Sequence, residues 1–451
     1  MQLFKPRRLV SNVVGLQVFN ILRFVTFLII SIVFTKIGLS KKEIGLFEVS
    51  VFIASAASFF WVTGLIQSFL PLYKTSETFG DQSDNYQRKS PEIFNAFLLL
   101  FLFSLLVFII GLIIQQNFSV FGYKGNVPLL NATLFYLFLS SPACMVEYIY
   151  MVRNQSGNTL SYAYITYTLQ LAAVLIPVLL GYDIVWALWG LVGISALRNL
   201  WLFSLLYNYA EFKISIPFMK EHLKLAAPLF VTVFVSSSAQ YIDGIMVSSH
   251  FSAKEFAIFR YGAKEMPFLL MLTNGLGQAM LTEFSKKDKI QRSLVEIKKR
   301  SLRIMHYMYP LTILLLLFAK PFYSFLFSPE FSRSADVFVV YLLAIFSRIL
   351  FPHTILNGMK KTRTLFRVSI VEFFLNLGLS LWFVQIYGVT GVAVATITAY
   401  FLSKLVLVIY NYVKLGIHPG RYIPIKWYVF YSAVLMILFI LIDHRVFIIE
   451  G

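Results

Sequence analysis

An all-α integral membrane protein is the fold class that the sequence predicts, and three observations carry the prediction. Of 451 residues, 58% are hydrophobic, 17% aromatic and only 13% charged. Soluble chains run at about 45–50% apolar and about 25% charged. The mean hydropathy is +0.75. Apolar residues come in unbroken stretches of about 20, enough to span a ~30 Å hydrocarbon layer as helix, and lack the period-two alternation of a barrel. Soluble enzymes and disordered chains are thereby excluded. The single cysteine, Cys144, excludes an internal disulfide and any multi-cysteine metal centre.

Thirteen helices follow in order. The first covers 10–36, behind Lys5, Arg7 and Arg8; it is too long for a signal-peptide core and lacks a small-residue cleavage site, so it is read as retained. The others are expected at 44–70, 92–116, 128–152, 161–181, 184–208, 223–250, 256–281, 304–327, 335–357, 365–387, 391–413 and 427–442. The longest connections, 71–91 and 282–303, are both cytoplasmic with the N-terminus inside, and the short outer loops leave no room for an extracytoplasmic domain. No G-x-x-x-x-G-K phosphate loop occurs, so ATP hydrolysis is not expected and the chain reads as a transporter rather than an enzyme.

Lysine and arginine total 39 against 21 acidic residues, a net charge of +18. With the N-terminus cytoplasmic, 25 of the basic residues fall in inward-facing segments and 8 in outward-facing ones, a clear positive-inside bias. Most of the excess is thus topology, and no nucleic-acid partner is expected.

Polar matches between the halves point to an internal repeat. Residues 39–47 (LSKKEIGLF) resemble 251–259 (FSAKEFAIF); Gln67 and Leu70 match Gln278 and Leu281; Tyr207-Asn208-Tyr209 recurs as Tyr410-Asn411-Tyr412, and Asn154 as Asn357. The expected organisation is two six-helix bundles, 1–210 and 211–415, in parallel orientation, with an extra transmembrane helix in 416–451. Such paired bundles suit alternating access with a site between the halves.

Six basic residues remain inside helices: Arg23, Arg198, Arg260, Lys264, Arg348 and Lys404. A charge at mid-bilayer costs ~2.5–3.5 kcal/mol even on the lenient insertion scale, so each needs a partner or a wet cavity. Arg198 and Arg260 lie within snorkelling reach of headgroups, whereas Arg23 and Arg348 are central. Asn12, Asn20, Arg23 and Thr26 share a face of the first helix, as Thr232, Ser236, Gln240 and Asp243 share one of the seventh. Arg260 and Lys264 are four apart and are expected on one helix face. Arg23, Arg260, Lys264, Arg348, Lys404, Asn20 and Gln240 are therefore the candidate substrate-binding residues. Asp243, Glu48, Glu147, Glu265 and Glu372 are candidate counter-ions or ion-coupling groups. Scattered histidines without ligand spacing argue against a metal site. No cofactor is expected, and a proton or a sodium ion is left open as the coupling ion. Arginine's planar fork suits a phosphate-bearing anion.

The stretch Tyr241-Ile-Asp-Gly-Ile-Met-Val with Phe259-Arg-Tyr-Gly-Ala-Lys-Glu-Met-Pro267 resembles the helix 7–8 signature of the polysaccharide-export flippases. Leu356-Asn-Gly-Met-Lys-Lys361, Asn376-Leu-Gly-Leu379 and Tyr387-Gly-Val-Thr-Gly-Val-Ala-Val-Ala395 are similar to their helix 10–12 pattern. These are the O-antigen-type flippases of the multidrug/oligosaccharidyl-lipid/polysaccharide exporter superfamily. The resemblance implies a V-shaped pair of six-helix bundles in the bacterial inner membrane. It implies a polyprenyl-pyrophosphate-linked oligosaccharide as substrate, for lipopolysaccharide or other cell-surface polysaccharide, and association with other polysaccharide-assembly proteins. A cation-coupled multidrug exporter of the same superfamily is the alternative. A membrane polymerase or glycosyltransferase is a more distant one.

Overall fold

The computed structural model describes residues 12–77, 89–114, 129–237, 239–264, 267–284 and 290–442, and within helices it leaves aside the side chains of 12–14, 74–77, 236, 239–240, 267–268, 271 and 282. Among the described residues the chain is helical, with no strand beyond an isolated parallel bridge between Ser90 and Ala210. It divides into two compact units, Met1–Phe234 and Val235–Gly451.

The first unit holds α1 (Asn12–Lys36), α2 (Lys41–Glu77), α3 (Pro91–Ile114), α4 (Leu130–Ala143), α5 (Met145–Val152), α6 (Ser156–Leu179), α7 (Ile184–Tyr209) and α8 (Ile216–Ser237). The α1–α6, α4–α7, α6–α7 and α3–α4 pairs form its body. The predicted span 128–152 is two helices, α4 and α5, meeting at Cys144 just after Pro142. Phe19, Trp61, Phe69, Tyr162 and Leu202 sit in its core. Outward faces carry Ile113, Leu180, Leu200 and other large apolar side chains, as a lipid-facing surface requires.

In the second unit lie α9 (Ala239–His250), α10 (Ala253–Gly262), α11 (Pro267–Phe284), α12 (Ile290–Leu326), α13 (Ser334–Leu342), α14 (Ile345–Arg348), α15 (Pro352–Gly358), α16 (Thr362–Leu415) and α17 (Ile425–Ile442). Three expectations change here. The predicted span 256–281 breaks after Gly262 and resumes at Pro267, whose ring cannot continue a helix but starts one well. The predicted span 335–357 bends by 46° between Arg348 and Pro352, for the same reason. The connection expected over 282–303 is helical from Ile290. Ser293, Leu294, Ile297 and Ser301 give that stretch one buried face, while Arg292, Lys299 and Arg303 lie opposite in the open.

α16 is two helices joined at Gly388, whose φ of 58° and ψ of −137° are non-helical. A Cβ at Gly391 would run into the Phe383 carbonyl, so the two arms approach through glycine. The C-terminal α17 packs on α12. The Tyr309 and Ser432 hydroxyls meet at 2.8 Å, and Lys298 Nζ donates to the Gly420 carbonyl at 2.6 Å. Nine helices among the described residues are long and apolar enough to cross a membrane, or ten if the bent α13–α15 stretch counts. α16 enters that number once.

The repeated 39–47 and 251–259 stretches perform the same local job. Ser40 and Glu43 close a capping box ahead of α2, with Glu43 N–H donating to Ser40 Oγ at 3.2 Å, and Ser252 and Glu255 close one ahead of α10. The Asn154–Asn357 match does not align as a backbone feature. Asn154 (φ 55°) ends α5 in a left-handed turn, and the equivalent left-handed residue after α15 is Lys360 (φ 59°). Both turns close with a six-to-one bond, Gln155 N–H to Tyr150 O and Lys361 N–H to Leu356 O.

Candidate functional site

Phe19 seats α1 on α6, its ring 6.0 Å from that of Tyr162 and 5.3 Å from that of Tyr167. One turn further on, Arg23 is exposed and has Tyr167, Glu147, Tyr148 and Tyr136 within electrostatic range. Glu147 is buried, in the first turn of α5, and interacts with both Arg23 and Arg198. Arg198 is held by α6. It donates from Nη2 to Gln170 Oε1 at 2.9 Å and places its guanidinium 4.9 Å above the Tyr167 ring. This cluster of the first unit thus sets two arginines and one buried carboxylate among several tyrosines. Asn20, three residues before Arg23, is exposed. Thr26 is buried.

A second basic cluster lies within the other unit. Arg348 ends α14 at the bend and stands 4.5 Å over the Tyr400 ring of α16. Lys404, one turn beyond Tyr400, meets His353 Nδ1 at 3.0 Å. Glu372, on the other arm of α16, lies within electrostatic range of Lys404 and Arg348, while the Ser403 hydroxyl donates to the Tyr400 carbonyl at 3.0 Å. Helix α16 supplies both the acid and the lysine because Gly388 folds it back on itself.

Asp243 belongs to a separate, buried network. It is 1% exposed, and accepts from the Tyr341 phenol at 2.6 Å and from the Thr396 hydroxyl. Asn376 lies 3.0 Å from Thr396 Oγ1 and 3.3 Å from Ser380 Oγ, with its Nδ2 buried and unbonded. Turning the Asn376 amide over lets Nδ2 donate to Thr396, which a hydroxyl donating to Asp243 is free to accept.

The other expected residues that the structure describes do not join these groups. Arg260 is half-buried in the last turn of α10, where a cation complements the helix C-terminus. Lys264 lies past that helix, its Nζ 5.1 Å from the Tyr261 ring and 5.9 Å from the Phe327 ring. The shared helix face expected for Arg260 and Lys264 is therefore not formed, because α10 stops at Gly262. Glu48 accepts from Ser31 at 3.3 Å. Glu265 and the Gln240 side chain fall outside the described residues, as does that of Ser236. Thr232 bonds the Pro228 carbonyl within α8, in a different unit from Asp243. Sequence reasoning missed Tyr136, Tyr148, Tyr167, Gln170, His353, Tyr341 and Thr396. Polar side chains deep in apolar runs were the available signal for them. Among the described residues no group of three or more His, Cys, Asp and Glu is placed to hold a metal.

Repeated apolar spans that carry charged side chains within them define a multi-pass helical membrane protein. The solved structures it resembles agree. The lipid II flippase MurJ in its inward closed conformation superposes with a TM-score of 0.69 at 19% identity, covering 96% of this chain and 94% of that one. A multidrug resistance MATE family transporter of the MOP superfamily, inward-facing, gives a TM-score of 0.61 at 14% identity over 90% and 98% of the two chains. A MOP superfamily transporter from Pyrococcus furiosus gives 0.53 at 13% over 90% and 94%. At these identities the likeness is one of fold. No curated protein matches the sequence. Residues 39–336 match the family described as Polysaccharide biosynthesis protein, and the chain belongs to that family.

Proposed function

We propose that the protein flips a polyprenyl-pyrophosphate-linked oligosaccharide from the cytoplasmic to the outer leaflet of the bacterial inner membrane, with its N-terminus in the cytoplasm. The observation that carries this reading is that each unit brings two cations on its apolar helices within electrostatic range of one carboxylate: Arg23 and Arg198 with Glu147, Arg348 and Lys404 with Glu372. A pyrophosphate entering hydrocarbon unaided meets a prohibitive desolvation cost, and arginine forks replace its lost water bonds. The tyrosines beside each cluster offer rings and hydroxyls to a sugar. Membership of a polysaccharide biosynthesis family supports the choice of cargo.

Moving an anion outward with an inside-negative potential gains ~2.3 kcal/mol per charge per 100 mV, so no ATP is required. Asp243 is the candidate group for coupling to a proton or sodium gradient. The substrate would come from the enzymes that assemble the lipid-linked unit, and those that polymerise or attach it would be its neighbours. O-antigen and related lipopolysaccharide are the expected end products. A cation-coupled drug exporter is the second reading, favoured by the MATE-like fold and the buried Asp243.

Deletion in the native cell, followed by locating lipid-linked oligosaccharide, tests the proposal. Accumulation on the cytoplasmic leaflet is expected, rescued by the wild-type chain but not by Arg23→Ala or Arg348→Ala expressed to the same level. Normal surface sugars with altered drug sensitivity would overturn it in favour of the exporter.

A further inference from the structure

The contact between Lys404 and His353 admits one proton where two basic groups could hold two. At 3.0 Å, Nζ and Nδ1 share a hydrogen bond, so one nitrogen donates and the other must accept. The pair therefore carries one charge fewer than its capacity, whichever nitrogen holds the proton. Its surroundings explain why. Arg348, at the end of α14, adds a fixed positive charge. Glu372, on the facing arm of α16, is a carboxylate within electrostatic range. Tyr400 lies under Arg348. From α17 comes the Tyr428 phenol, which donates to the Phe346 carbonyl. Helix α11, packed on α14 and α15, brings Glu283 beside Phe284, which abuts the far end of α15 at Gly358. The Asp243 network lies about two turns away, Thr396 to Lys404 being roughly 12 Å along the helix.

We propose that this pair makes anion binding in the second unit proton-linked: when a phosphate-bearing anion settles against Arg348 and Lys404, His353 and Lys404 together take up one proton. The inference rests on the anion-binding reading of the cluster given above. With the pair singly charged, the charges of Arg348, the pair and Glu372 leave one net positive charge. Uptake of a proton raises this to two, matching the two negative charges of a pyrophosphate diester. The anion also accepts from both N–H groups once they no longer face one another. By linkage, affinity falls as pH rises, about tenfold per pH unit over the range where the free pair has lost the proton and the bound pair keeps it.

The test is calorimetry on the full chain in lipid nanodiscs, titrated with a short-chain prenyl-pyrophosphoryl-N-acetylglucosamine, a diester whose own charge is constant across the range. Running it in Hepes and in Tris, whose ionisation heats differ, counts the protons exchanged. About one proton taken up per probe bound is expected for the wild type. His353→Gln, which still offers Lys404 an acceptor but does not titrate, should bind with uptake near zero and a flattened pH dependence. The wild-type pH dependence of Kd stands as a measurement that needs no variant. Binding without proton exchange, or uptake undiminished in His353→Gln, overturns the proposal and leaves the anion site intact. Failure of the wild type to bind the probe at any pH overturns the anion site and this inference together.

Discussion

Arg198 illustrates how a membrane cation is settled by its neighbours. Gln170 is 1% exposed, and its Oε1 takes the guanidinium at 2.9 Å. Replacing Arg198 by alanine leaves that amide oxygen buried without its donor, beside an Nε2 that already has no hydrogen-bond partner. A loss of about 1–3 kcal/mol is expected, read as a lower melting temperature in detergent. A lysine there would restore charge but not the planar contact over Tyr167. Asp243 makes a different prediction. Asp243→Asn keeps the shape and a hydrogen-bonding oxygen but removes the charge, so transport should lose its dependence on a proton or sodium gradient while the prenyl-pyrophosphate probe still binds. Unchanged gradient dependence in reconstituted vesicles would remove Asp243 from coupling.

Among the elements, α7 offers an internal control on helix packing. A Cβ at Gly190 would collide with the Ala173 carbonyl of α6, whereas nothing lies within 4 Å of one at Gly193. Backbone cannot step aside as a side-chain tip can. Gly190→Ala should therefore push α6 and α7 apart and cost about 1–3 kcal/mol. Gly193→Ala should stabilise by up to about 1 kcal/mol through helix propensity. Thermal unfolding of the two single variants separates them; equal shifts would mean that the α6–α7 contact is not made through Gly190. Elements also show where apolar pattern misleads. Continuous hydrophobicity located the predicted spans at 256–281 and 335–357, yet Pro267 and Pro352 break both. Hydropathy averages over a window and is blind to a single missing amide.

At the scale of the molecule, the positive-inside bias predicts which ends face the cytoplasm. In a Cys144→Ser background, Lys299→Cys should react with an impermeant maleimide only after the membrane is opened. Lys254→Cys should react in intact cells. Both residues are exposed, so access rather than burial decides the outcome. The reverse pattern would invert the proposed orientation. The division into Met1–Phe234 and Val235–Gly451 belongs to the same scale: α8 is grouped with the helices before it, although its apolar run continues toward α9. Within the first unit, His222 of α8 lies 2.9 Å through Nε2 from the Leu65 carbonyl of α2, and Phe230 lies against Gly64. Those contacts follow from the fold and have no trace in hydropathy.

The sequence by itself determined that this is a helical membrane protein, where most spans lie, and that six basic residues fall inside its apolar stretches, Arg23 and Arg348 the most central of them. Composition and transfer cost suffice for that, because a charge in hydrocarbon is expensive wherever the chain goes. The Ser40 and Ser252 caps were also legible, being local patterns completed within four residues. Tertiary structure alone decided the company each charge keeps. Glu147 lies within electrostatic range of Arg23 and Arg198, Lys404 meets His353, and Asp243 meets Tyr341 and Thr396, across sequence separations that no periodicity encodes. Helical phase gives a side chain's direction, whereas its partner depends on which other helix lies there. Pro267 and the end of α10 at Gly262 separated Arg260 from Lys264. The fold-back at Gly388 brought Glu372 to Lys404.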